Sequence, residues 1–125
     1  MEEAPTGRWY ARPVFFVADL EKALAFYTAV LGYEEKWRHG EPLVAVQVDR
    51  GGSEIILNLD AERAGGSRLF IALEQRQIGA VTAEITAAGG RVETGYWGMP
   101  VKIVRDPEGN ELFFFDDEKQ AATTA

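Results

Sequence analysis

Apolar and polar positions along this chain fall into a pattern that is laid down once and then repeated. Residues 12–17, Arg-Pro-Val-Phe-Phe-Val, form a β-branched and aromatic run that predicts a strand. Asp19 stands as an N-cap ahead of Leu20, Leu24, Tyr27 and Leu31, which recur at helical spacing, and Gly32 supplies a left-handed C-cap. Residues 33–38, 43–48 and 54–59 then predict a three-strand meander, with turns at His39-Gly40-Glu41-Pro42 and at 49–53. After a polar link at 61–67, residues 69–74 predict another strand. Ile78, Val81, Ile85 and Ala88 mark one face of a second helix, and Gly89-Gly90 ends it. Residues 91–93, 101–105 and 111–115 complete a second meander, with Tyr96-Trp97-Gly98-Met99-Pro100 as the intervening loop. Residues 119–125 read as a frayed tail.

The two halves can be laid in register. Asp49-Arg50-Gly51-Gly52-Ser53-Glu54-Ile55-Ile56 matches Asp106-Pro107-Glu108-Gly109-Asn110-Glu111-Leu112-Phe113, and the same offset carries Gly32 onto Gly89. A helix end, a hairpin turn and the strand after it share one spacing, which points to an internal duplication. The first strand keeps one residue of slack, since Arg12 matches either Leu69 or Phe70.

Composition narrows the class. A chain of 125 residues with 46% hydrophobic and 26% charged residues is that of an ordinary globular domain, and with no cysteine it has neither disulfides nor thiolate ligands. No apolar run approaches the ~20 residues of a membrane span, and residues 1–7 do not make a secretory leader, so the expected address is cytoplasmic. A net charge of -7 repels a phosphate backbone, which argues against nucleic acid as a partner. It would draw in a cationic ligand, although solubility alone also accounts for it.

The segment Val-Ala-Asp-Leu-Glu-Lys-Ala-Leu-Ala-Phe-Tyr-Thr-Ala-Val-Leu-Gly-Tyr, followed later by Val-Arg-Asp-Pro-Glu-Gly-Asn-Glu-Leu-Phe-Phe-Phe, resembles the vicinal oxygen chelate superfamily of glyoxalases, extradiol dioxygenases and bleomycin resistance proteins. The resemblance runs from Arg12 to Phe115. It implies an α+β fold of two βαβββ units, each a cupped mixed sheet, within a single domain over 1–125. Unit one would span about 8–60, unit two about 68–117 and the tail 118–125. It does not by itself imply a reaction.

In the enzymes of that superfamily, His, Glu or Gln on the first and last strands of each unit hold a divalent ion. The matching positions here are Arg12, Ile56, Phe70 and Phe113, and none offers a lone pair to a cation. Leu69, Leu112 or Phe114, reached by a one-residue shift, are equally inert. His39 reads as an exposed turn residue, Asp106 as the stabiliser of its own turn, and Glu54 and Glu74 as minor inward candidates. No metal and no cofactor is expected.

Strand parity sorts the remaining side chains. If the helices cover Phe15, Val17, Ile55, Leu57, Ile71, Leu73, Leu112 and Phe114, the opposite face carries Arg12, Val14, Phe16, Ile56, Asn58, Phe70, Ala72, Phe113 and Phe115. Trp37 and Trp97 are placed to flank its opening. Plain core packing is the competing account of these aromatics. The ligand-binding set is therefore Arg12, Phe16, Trp37, Ile56, Asn58, Phe70, Trp97, Phe113 and Phe115, with Arg12 orienting a carbonyl or pairing with Glu74. The leading expectation is a metal-independent binder of an aromatic or cationic small molecule, a bleomycin-type antibiotic being one candidate, with crevices shared in a homodimer. The alternatives are a divergent metal-dependent lyase, isomerase or dioxygenase, and a unit serving only as an interaction module.

Overall fold

The computed structural model describes residues 11–116, so the frayed tail expected over 119–125 lies outside the described residues. Strand β1 (Val14–Val17) leads into helix α1 (Leu20–Ala25), which widens into a π-helical turn (Phe26–Val30). Strands β2 (Glu34–His39), β3 (Ala45–Arg50) and β4 (Ser53–Leu59) finish unit one. Unit two repeats the plan with β5 (Arg68–Leu73), α2 (Gln75–Ala87), β6 (Glu93–Tyr96), β7 (Pro100–Arg105) and β8 (Glu111–Asp116). Each unit is a four-stranded mixed sheet, ordered β1-β4-β3-β2 in one and β5-β8-β7-β6 in the other, with the first strand parallel to the last.

Local chemistry explains most of the boundaries. The Asp19 side chain accepts from the Lys22 amide at 3.0 Å, which is the N-cap expected of it. Gly32 and Gly89 take positive φ where the two helices end. The first helix is not uniform, as its spacing suggests, because its second half is π-helical. Glu74 ends no strand: it caps α2 in a reciprocal box with Gln77. The β6–β7 connection is shorter than the expected loop, since Tyr96 and Pro100 pair with each other across a tight turn.

The main core lies between unit one's sheet and α1 and continues under unit two through Ile85, Val104, Leu112 and Phe114. At its centre Tyr27 is fully buried and its hydroxyl donates to Asp106 at 2.9 Å. Burial first, and then the neighbouring Asp106 carboxylate, push the Tyr27 hydroxyl well above its ordinary value of 10.0; burial also raises Tyr33. A tyrosine whose folded pKa lies above its unfolded one keeps the fold intact below the unfolded value and loses that contribution as pH climbs past it. The melting temperature should accordingly hold through neutral pH and fall above about pH 10. In Tyr27→Phe the alkaline slope of a melting-temperature profile should be shallower. An unchanged slope would show that Tyr27 ionisation does not limit the fold.

The units are joined by the loop between β7 and β8. Asp106 accepts from the amides of Glu108 and Asn110, both at 2.9 Å, and from the Asn110 side chain at 3.0 Å, which confirms its turn role and adds a second one through Tyr27. Asn110 reaches across to unit one by donating to the Phe16 carbonyl at 3.3 Å. Glu108 receives the amides of Ala18 and Asp19, each at 2.9 Å, so a carboxylate from unit two closes the N-terminus of α1. At the far edge of unit one, all six residues of β2 are exposed, among them Glu34, Glu35, Lys36 and Arg38.

Strand pairing corrects the internal register. Val14 pairs with Ile56, and Phe70 with Phe113. The counterpart of Phe70 is therefore Val14, and by the same count Arg12 corresponds to Arg68, not to Leu69 or Phe70. The two hairpin turns also differ. β3 and β4 meet through Gly51-Gly52 alone, whereas β7 and β8 enclose the five residues from Asp106 to Asn110.

Candidate functional site: two concave faces of unlike chemistry

Each sheet turns one face away from its helix, and pairing aligns the residues on that face into rungs. In unit one the central rung is Val14, Ile56, Gln47 and Trp37; in unit two it is Phe70, Phe113, Ile103 and Glu93. The next rung is Glu54 and Asp49 in unit one, with Arg12 in the chain entering β1, against Arg68, Glu111 and Arg105 in unit two.

The second face is aromatic. Phe70 stacks on Phe113 at 4.9 Å between ring centroids, Trp97 stands edge-on to Phe70 at 5.4 Å and to Phe113 at 5.8 Å, and Phe115 lies 6.0 Å from Phe70. Phe113 and Phe115 are buried, but Phe70 and Trp97 stay 40% and 50% exposed. The four aromatics of unit two thus meet in one surface. The Arg68 guanidinium lies 5.4 Å from the Trp97 ring and 5.8 Å from that of Phe113. Arg68 also donates to Glu111 at 2.8 Å, Arg105 donates to the other oxygen of Glu111 at 2.9 Å, and Arg105 continues to Glu93 at 2.5 Å. That ladder neutralises itself at one end of the aromatic floor. The Arg105 hydrogen bond holds Glu93 below the usual carboxylate range.

The first face is polar and centred on Gln47, a buried residue that the sequence reading did not single out. Its side-chain oxygen receives both Arg12 and the Trp37 indole N–H at 2.6 Å, and its nitrogen donates to Asp49 at 2.9 Å and to Glu54 at 3.4 Å. Arg12 and Trp37 are brought together, but through an amide and not across a ligand. Arg12 does not pair with Glu74, which stays at the cap of α2 beside Arg76. Ile56 and Asn58 are half-buried in β4. Phe16 is half-buried beneath the Arg63 guanidinium, 5.3 Å from its ring. His39 is the exposed last residue of β2 and not part of a turn. A polar residue inside the run Ala45-Val46-Gln47-Val48 was the signal that could have found Gln47, since every neighbour in that run is buried and apolar.

Whether a divalent ion fits depends on lone pairs. Ile56, Phe70 and Phe113 are hydrocarbon and Arg12 is a cation. Among the described residues no three of His, Cys, Asp or Glu converge. The nearest oxygen donors, Gln47, Asp49 and Glu54, are joined to one another by hydrogen bonds. These residues do not fit a resident metal.

The family model of the Glyoxalase/Bleomycin resistance protein/Dioxygenase superfamily matches residues 9–114. No curated protein matches the chain. Among solved structures, it is similar to the bleomycin-binding protein of Streptomyces verticillus complexed with copper(II)-bleomycin, at 20% identity and a TM-score of 0.72, over 87% of this chain and 96% of that one. A lactoylglutathione lyase from Agrobacterium tumefaciens aligns at 19% identity and a TM-score of 0.70, over 89% and 95%. A glyoxalase/bleomycin resistance protein from Catenulispora acidiphila aligns at 22% and 0.71, over 87% and 98%. At these identities the likeness speaks to fold alone.

Proposed function

We propose that this chain, which belongs to the glyoxalase/bleomycin resistance protein/dioxygenase superfamily, is a metal-independent small-molecule binder that holds a flat, conjugated ligand against its second concave face. The observation that carries the reading is the surface of Phe70, Trp97, Phe113 and Phe115, with two of its rings left partly open to solvent. Ring stacking there contributes roughly 0.5–1.5 kcal/mol per contact. Because Arg68 already stands over two of the rings, the face suits a flat ring system better than a bare cation.

Val14, Trp37, Phe70 and Trp97 remain 39–50% exposed, more apolar area than two facing cups would leave uncovered. A two-fold homodimer that sets unit one of one copy over unit two of the other would give two equal crevices, each with one aromatic and one amide-and-carboxylate wall. The complex of the Streptomyces verticillus protein makes a bleomycin-type antibiotic the first ligand to try.

Titration with metal-free bleomycin and with copper(II)-bleomycin is expected to give saturable binding tighter than millimolar. Affinity no better than that for either form would remove the antibiotic from the proposal. Metal analysis of protein purified without chelator separates binder from enzyme: near-stoichiometric divalent ion would favour the enzymatic reading.

A further inference from the structure

Beside the two concave faces, sharing Phe70 with one and Glu54 with the other, a cavity of about 630 Å³ opens between the units. Five consecutive residues of β5, from Leu69 to Leu73, border it, so it runs along the edge of that strand and not over one face. Ala80, Val81 and Glu84 of α2 form a second wall. The β3–β4 hairpin from Arg50 to Glu54 forms a third, with Leu31 and Tyr33 beside it. Its origin lies in the unequal turns. On the flank of unit one the loop from Asp106 to Asn110 reaches across with Glu108 and Asn110, while from the β3–β4 hairpin Arg50, beside the bare Gly51-Gly52 turn, reaches back to Glu84. Leu69, Ile71, Leu73 and Val81 are consequently only half-buried, where Phe15 and Val17 on β1 are fully covered.

We infer that this cavity is a second ligand site that takes a small, neutral, mostly apolar molecule bearing one carbonyl oxygen. The size lies within the ~300–1,000 Å³ of ordinary ligand pockets, and most lining side chains are apolar. Polarity comes from a hydroxyl pair, Tyr33 and Ser53, 2.7 Å apart. Two hydroxyls carry two protons and one bond between them uses one, so a donor is left over. Among the described residues neither hydroxyl has another partner, and both residues border the cavity, so the spare O–H is available to an occupant of it. A phenol is protonated at neutral pH, and burial moves Tyr33 further above its ordinary value of 10.0. Charge argues against an anion: Arg50 is engaged by Glu84 at 3.0 and 3.1 Å and by the Leu31 carbonyl at 2.7 Å, and Glu54 and Glu84 both border the space. A carbonyl oxygen matches a leftover O–H without requiring a compensating charge.

The probe is camphor, a neutral, non-planar aliphatic ketone with no ring system to stack on the aromatic concave face, and binding is read by calorimetric titration. Wild-type protein is expected to bind it saturably. Ala80→Trp, which places a large ring in the space, should abolish binding. Tyr33→Phe and Ser53→Ala each leave one hydroxyl free to donate and should bind within a few-fold of wild type, whereas the double variant should bind roughly five- to tenfold more weakly. Trp97→Ala, which alters the aromatic concave face, should leave camphor binding intact, so the two sites fail independently. No saturable heat with wild type would overturn the inference, as would binding indifferent to Ala80→Trp, unchanged in the double variant or lost in Trp97→Ala.

Discussion

Asp106→Ala is expected to lower the unfolding free energy by about 3–5 kcal/mol, read as a drop in urea midpoint at unchanged slope. The carboxylate is 5% exposed and accepts four hydrogen bonds, from Tyr27, from the Glu108 and Asn110 amides and from the Asn110 side chain. Its removal leaves the fully buried Tyr27 hydroxyl and the Asn110 backbone N–H without their acceptor, and each unsatisfied group costs about 1–3 kcal/mol. The loss is a large share of the ~5–15 kcal/mol that holds a domain of this size folded. Tyr27→Phe removes one donor and leaves three, so it should cost about a third as much. Equal losses in the two variants would mean that the phenol, and not the loop, carries the junction between the units.

Trp97→Ala is expected to weaken binding to the aromatic face roughly ten- to a hundredfold while moving stability by less than about 1 kcal/mol. Trp97 is half exposed and sits in the tight β6–β7 turn, with its ring edge-on to Phe70 and Phe113. It can therefore be cut back without opening the core. Phe113, at 2% exposed, offers no such clean test, since its truncation leaves a hole. Calorimetric titration of a bleomycin-type ligand reads the change. An affinity within twofold of wild type would remove Trp97 from the binding surface.

The α+β fold with two βαβββ units was legible because its signals are local. The N-cap at Asp19, glycines 32 and 89 at helix ends, and the apolar runs of β4 and β8 each fix one element. Parity along β5 and β8 likewise placed Phe70, Phe113 and Phe115 on one face, which the pairing of these strands reproduces. Register between the halves was less legible. The match through glycines 52 and 109 equates a two-residue turn with a five-residue loop, and pairing shows that the strands slide to absorb the difference. Gln47 escaped notice because its importance is non-local: four partners on β2, β3, β4 and the chain entering β1 meet only after the sheet forms. Glu74 shows the reverse error, in which a residue with inward parity was taken by a helix cap one position beyond the strand.

The charged rim of β2 also bears on how copies of this chain can meet. A sheet that ended in an apolar strand would invite another sheet to add on and then another, with no natural stop. Here any strand docking beside β2 would have to dehydrate Glu34, Glu35, Lys36 and Arg38, with Arg38 already held by Glu35 at 2.7 Å. Growth in the plane of that sheet through β2 is thus disfavoured, and the homodimer proposed above would form through the broad faces, where a pair that covers itself has nothing left to recruit a third.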